Sequence, residues 1–278
     1  MIELPEVVTF TAQMRERLVG QTFAQVEISE ERPKWLFIAP DPAPFADGVA
    51  GRTIEDVTSR GKWIFLRLDS GETLLLGEFG GRLQVFGKDD ELPKKRHITF
   101  TFTDGGVLVL AIQMWGFIGL LTEDEVTAHP YAGTLGPSPI DPEFTLERWN
   151  GILDAYIESE NKPIKAFLTH ERNVCGLGNG YLQDILFRAG LSPKRKAATL
   201  DAPDRASLYH AIRDTIEEAI DLGGRDTERT LFGEPGAYVP VLDRRAKGEP
   251  CPRCGTPIEK IQYLGGSCYV CPTCQPSR

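Results

Sequence analysis

Four cysteines near the C-terminal end, Cys251, Cys254, Cys271 and Cys274, limit what this chain can fold into more than any other feature. Their spacing, C-x2-C-x16-C-x2-C, sets two thiol pairs at the two turns of a short hairpin, the usual assembly of a tetrahedral four-cysteine zinc site. Gly255–Val270 holds too few large apolar side chains to stay folded alone. Metal binding has to supply the free energy, roughly 10–16 kcal/mol for structural zinc. The alternative is two disulfides in a secreted chain. Residues 1–20 argue against it, because they read as an amphipathic helix carrying charges and not as an apolar signal segment. Four thiolate ligands leave no open coordination position, so the expected single Zn2+ is structural. Cys268 lies inside the finger as a spare thiol, and Cys175 reads as a small buried hydrophobe.

With 278 residues and 41% hydrophobic content, the chain can bury two domains besides the finger. No run of 18 apolar residues exists, so no membrane span is expected, and the thiols suit a reducing cytoplasm. A net charge of −9 runs against nucleic-acid binding as a global property. Its distribution does not. Between Lys162 and Lys196, seven cations (Lys162, Lys165, Arg172, Arg188, Lys194, Arg195, Lys196) face only Glu171 and Asp184, a local +5. Such a stretch fits a footprint on phosphates, with a solvated helix face as the plainer alternative.

Pro5 and Glu6 suit a first helical turn, Val7, Phe10, Met14 and Leu18 recur at helical spacing, and Gly20 stops the run. From Thr22 to about Thr122, short β runs alternate with turns such as Asp69-Ser70-Gly71 and Asp104-Gly105-Gly106, predicting an antiparallel sandwich or barrel. The domains expected are 1–133 for this β half, a proline-stiffened linker at 134–145, a helical domain at 146–224, a long loop at 225–250 and the finger at 251–278. Thr145 caps the first helix of the second half, and further helices are predicted at Pro163–Thr169, Gly180–Ala189 and Asp204–Leu222.

Several signals then fall in one order: Met1-Ile2-Glu3-Leu4-Pro5-Glu6-Val7, Ser59-Arg60-Gly61-Lys62, Leu135-Gly136-Pro137, Gly176-Leu177-Gly178-Asn179-Gly180-Tyr181, and Lys247-Gly248-Glu249-Pro250-Cys251 leading into the hairpin that ends Cys274-Gln275. This ordered set, spanning nearly the whole chain, resembles the formamidopyrimidine-DNA glycosylase and endonuclease VIII family of base-excision repair enzymes. The resemblance implies an α+β multidomain fold: an N-terminal antiparallel β-sandwich opened by a catalytic-type helix, a helix-two-turn-helix domain and a C-terminal four-cysteine zinc finger. It also implies a monomer working in the cytoplasm on the nucleoid, with duplex DNA holding a damaged base or abasic site as partner.

The residue roles follow from the same resemblance. Glu3 matches the family's general acid/base, although a helix-dipole partner is the local alternative. Lys62 matches a lysine that contacts phosphate at the lesion and helps position the opened sugar. The Gly176–Gly180 turn exposes N–H groups at a helix start, a ready phosphate site, with Gly178 and Asn179 gripping the backbone beside Lys162 and Lys165. The chain departs from the family at four places. Ile2 stands where an N-terminal proline normally attacks C1′, leaving either the Ile2 amine after processing or a water as nucleophile. Glu78 stands where a methionine wedge is common. Met114 and Trp115 replace an arginine–phenylalanine pair, either inserting into the stack or serving as core. Gly266 marks the loss of a phosphate-binding arginine from the finger. The resulting expectation is damaged-DNA recognition and base excision by a DNA glycosylase, with AP lyase activity where an amine attacks. The alternative is a non-catalytic relative that binds a lesion or DNA structure.

Overall fold

The computed structural model describes residues 1–276. The chain forms two compact units, one from Met1–Thr134 and Leu222–Ala237, the other from Leu135–Asp221 and the chain from Tyr238 onward. The segment expected as one long loop, 225–250, is thus shared between them.

The first unit opens with α1 (Leu4–Leu18), then β1 (Phe23–Ile28), β2 (Leu36–Ala39), α2 (Pro42–Val49) and β3 (Ile54–Arg60). There follow β4 (Trp63–Leu68), β5 (Thr73–Gly77), β6 (Gly81–Phe86), β7 (Ile98–Phe102), β8 (Val107–Ile112), β9 (Gly116–Leu121) and α3 (Glu123–Ala128). Glu3 caps α1 and its N–H donates to Glu6 Oε2 at 2.8 Å, the reciprocal capping arrangement that fixes a helix start. Val7, Phe10, Met14 and Leu18 are buried, as their spacing predicts. One sheet runs β1-β7-β8-β6 and the other β2-β9-β5-β4-β3. Leu66, Leu74 and Leu76 of the second sheet share one core with Phe100, Leu108 and Leu110 of the first. The pairing is antiparallel except for β2 on β9, which is parallel because α2, not a hairpin, carries the chain away from β2. Gly77 ends β5 under the Trp63 ring; a Cβ there would stand 2.2 Å from Trp63 Cε3, so only glycine fits.

The second unit carries α4 (Leu146–Ser159), α5 (Ile164–Leu168), α6 (Asn179–Arg188), α7 (Ala202–Asp221) and the hairpin β10 (Glu259–Tyr263) and β11 (Gly266–Val270). Thr145 Oγ1 accepts from the Arg148 N–H at 3.2 Å, the cap expected for α4. Trp149, Tyr156 and Phe167 meet edge-to-face in the helical core. The hairpin turns through Leu264 (φ 47°) and Gly265 (φ 74°), both left-handed, as a two-residue hairpin turn requires. Buried Asp184 on α6 ties down the chain that leads to the finger. It accepts from Tyr238 Oη at 2.7 Å, Val241 N at 2.9 Å and Leu242 N at 2.7 Å. Among the described residues, no helix is long and apolar enough to cross a membrane.

Candidate active site and metal centre

The four finger sulfurs lie within 4.8 Å of one another, with Cys254 and Cys271 Sγ 3.4 Å apart and Cys251 and Cys274 Sγ 3.9 Å apart. A disulfide would bring two sulfurs to about 2.05 Å, whereas four thiolates at 2.3 Å from a tetrahedral ion stand about 3.8 Å apart. The spacing fits the ion. The Arg253 N–H donates to Cys251 Sγ and the Cys274 N–H to Cys271 Sγ, each at 3.4 Å, so both knuckles are preset. Hydrogen bonding to Thr256 draws the Cys254 thiol down to about 6, while burial and the neighbouring sulfurs push Cys274 up to about 12. Four crowded thiols cannot all ionise unaided, and a divalent cation resolves that conflict.

At the turn before α6, Gly176 takes φ 89° and Gly178 is the extended cap residue, with Asn179 exposed as the first helical residue. A Cβ on Gly266 would come 2.9 Å from Asn179 Nδ2, so glycine at this position lets the hairpin approach this turn. The basic stretch is partly neutralised by the fold. Lys162 pairs with Glu160 at 2.5 Å, Arg188 with Glu218, and Arg195 with Asp204. Lys165, expected at phosphate, is 1% exposed, and its ammonium donates to Tyr263 O at 2.7 Å and Cys268 Sγ at 3.3 Å. It holds α5 to the hairpin. Cys268, read as a spare thiol, receives that bond.

At the start of α1, Ile2 is 1% exposed and belongs to the sandwich core, and its backbone N–H donates to Phe79 O at 3.1 Å. That nitrogen is engaged in the fold through this bond. Buried Glu3 and Glu6 face Arg225, which sequence reasoning missed, having placed it in a long loop. Lys62 is also buried, with Nζ 4.0 Å from Glu78 Oε1.

Met114 and Trp115 are not core residues: they are 57% and 46% exposed. Phe37 packs on Trp115 with ring centroids 4.6 Å apart, and Trp35 is exposed on the preceding turn, two further aromatics the sequence reading passed over. Gly80 joins this group to the α1 end, for its N–H donates to Trp115 O at 3.0 Å and its carbonyl accepts from Met114 N at 2.9 Å.

Residues 1–113 match the formamidopyrimidine-DNA glycosylase N-terminal domain, 135–230 its H2TH domain, and 248–276 the zinc finger found in FPG and IleRS. The formamidopyrimidine-DNA glycosylase of Enterococcus faecalis is 33% identical over 281 residues, covering 99% of this chain and 97% of its own. That of Symbiobacterium thermophilum is 35% identical, covering 99% and 90%. This chain belongs to the formamidopyrimidine-DNA glycosylase family. The solved complex of Lactococcus lactis Fpg with DNA containing an abasic site superposes with a TM-score of 0.85 at 26% identity, covering 99% of this chain and 100% of the other. The FPG-type finger and the clustered sulfurs of Cys251, Cys254, Cys271 and Cys274 together indicate one structural zinc, which these four thiols are placed to hold. The expected α+β architecture of sandwich, H2TH helices and finger stands.

Proposed function

We propose that this protein is a DNA glycosylase that excises damaged bases from duplex DNA, with Glu3 as general acid/base. Full-length similarity to named glycosylases carries the reading, supported by solved relatives bound to abasic-site and Fapy-dG DNA. As the C1′–N bond breaks the base leaves with its electron pair, and Glu3 moves the proton: it takes one from an attacking water, or gives one to the sugar ring oxygen where an amine attacks and the C1′–O bond opens. Lys62, Gly178 and Asn179 hold phosphates, and exposed Met114 and Trp115 insert or stack where the base has left. Flipping that base costs a few kcal/mol, which these contacts recover. The zinc holds the finger in shape and takes no part in bond breaking. The work is done in the cytoplasm, on nucleoid DNA.

One observation shapes the chemistry. With Ile2 N donating to Phe79 O and its side chain in the core, water is the better nucleophile at C1′; Glu3 accepts its proton and passes it to the departing base, leaving a hydroxyl on C1′ and an abasic site in an unbroken strand. The same observation favours, as a second reading, a relative that binds lesions without cutting. Incubation with abasic-site duplex and borohydride tests the amine route, and a panel of Fapy-dG and 8-oxoguanine duplexes tests base release. Base release without a trapped adduct is expected, with Glu3→Gln losing release and keeping affinity. Release surviving that substitution removes Glu3 from the mechanism, and no release from any lesion leaves only the binding reading.

A further inference from the structure

Gly223-Gly224-Arg225-Asp226-Thr227-Glu228 follows α7 and has no part in the reaction outlined above. It lies in the same compact unit as α1, and its backbone runs against Glu6. Gly224 takes φ 90°, and a Cβ there would stand 2.9 Å from Glu6 Cγ. The next N–H, of Arg225, donates to Glu6 Oε1 at 3.0 Å. The Arg225 side chain is buried in turn. Its Nε donates to Glu6 Oε1 at 3.0 Å and its Nη2 to Glu6 Oε2 at 3.2 Å. Nη2 also donates to the Met1 carbonyl at 2.8 Å and lies 3.7 Å from Glu228 Oε1, while Nη1 faces Glu3 Oε1 at 3.6 Å.

One guanidinium therefore touches the residue before Ile2, the proposed acid/base and the carboxylate one turn along. We infer that Arg225 is a positioning residue for base excision, fixing the Glu3 carboxylate and the chain at residues 1–2 in one geometry. This rests on the base-excision reading above. The physical reason is the company Glu3 keeps. Glu3 caps α1 and Glu6 lies in its first turn, both buried, and without a cation between them their like charges would drive the two carboxylates apart. A planar fork with fixed donor directions settles this geometrically as well as electrostatically, which a flexible ammonium does less well. Glu6 takes the two-point contact, and Glu3 is held by the remaining arm.

The test is single-turnover base release from lesion duplexes, alongside the dissociation constant for a duplex bearing uncleavable carbocyclic 8-oxoguanine. Arg225→Ala is expected to slow release by about a hundredfold, the usual effect of displacing a catalytic group by an ångström. Affinity should change by less than about threefold, and Arg225→Lys should recover about tenfold of the rate by restoring charge without the fork. If Arg225→Ala does not fold, Glu6→Gln carries the test, with release expected about tenfold slower at unchanged affinity. An Arg225→Ala or Glu6→Gln rate near that of the unaltered protein overturns the inference and leaves base excision standing. Parallel loss of rate, affinity and melting temperature without rescue by lysine also overturns it, as a purely structural effect. An unaltered protein that releases no base sinks both readings together.

Discussion

Glu78 has a left-handed backbone, φ 52°, which glycine adopts freely and a long side chain does not, and it places a carboxylate 4.0 Å from Lys62 Nζ. On the DNA-binding face proposed above, that carboxylate would repel phosphate, and it engages a lysine proposed to bind it. Glu78→Met removes the repulsion and supplies an apolar wedge. Binding to abasic-site duplex should tighten about tenfold, or about 1.4 kcal/mol, in fluorescence anisotropy; unchanged affinity would show that this tip does not reach the DNA. The substitution itself was legible in the chain, because Leu75-Leu76-Gly77-Glu78 stands out against the family pattern. Its pairing with Lys62 was not, since that depends on the β4–β5 register. Ile2 shows the same limit. Its type flagged a changed nucleophile, but its burial depends on Phe79, a contact no local periodicity encodes.

Among elements, the finger hairpin was the most legible and also the most incomplete in the sequence. Thiol spacing alone pointed to one structural zinc and to the hairpin between the thiol pairs. What it lacked was the support from outside: Lys165 on α5 gives its ammonium to Tyr263 O and Cys268 Sγ, although charge counting had assigned it to phosphate. A one-turn helix offers no periodicity from which to tell a buried lysine from an exposed one. Lys165→Ala leaves that carbonyl and thiol without their donor and should cost about 2 kcal/mol in thermal unfolding, with faster zinc loss to a chelator. Unchanged zinc release in that variant would mean the hairpin stands without α5. Stripping the zinc has a larger expected effect, because the finger core amounts to Phe187, Leu242, Ile258, Tyr269, Cys251 and Cys271, with Ala246 and Cys274 packed against them. Chelation should abolish hairpin protection in hydrogen exchange while the sandwich, with its own large core, keeps its protection.

Over the whole molecule the charge is −9, and the local +5 that suggested a phosphate footprint is smaller once the fold assigns partners. Glu160, Glu218 and Asp204 take up Lys162, Arg188 and Arg195, and Lys165 is buried. Among the described residues this leaves Arg172, Lys194 and Lys196 of that stretch without a carboxylate partner. Affinity for DNA should therefore rest on few ionic contacts and on the neutral grip of the Gly176–Gly180 turn. Each phosphate neutralised contributes a slope of about −0.9 to log affinity against log salt, so these three cations account for about −2.7. Replacing all three with alanine should flatten the measured slope by about that amount while leaving the preference for lesion over undamaged duplex unchanged, since phosphate contacts carry no base information. A slope unmoved by the triple substitution would relocate the electrostatic footprint to the other compact unit, with its exposed aromatic group of Trp35, Phe37 and Trp115. In that case the acidic balance of the chain would again count against the H2TH turn as the main hold on DNA.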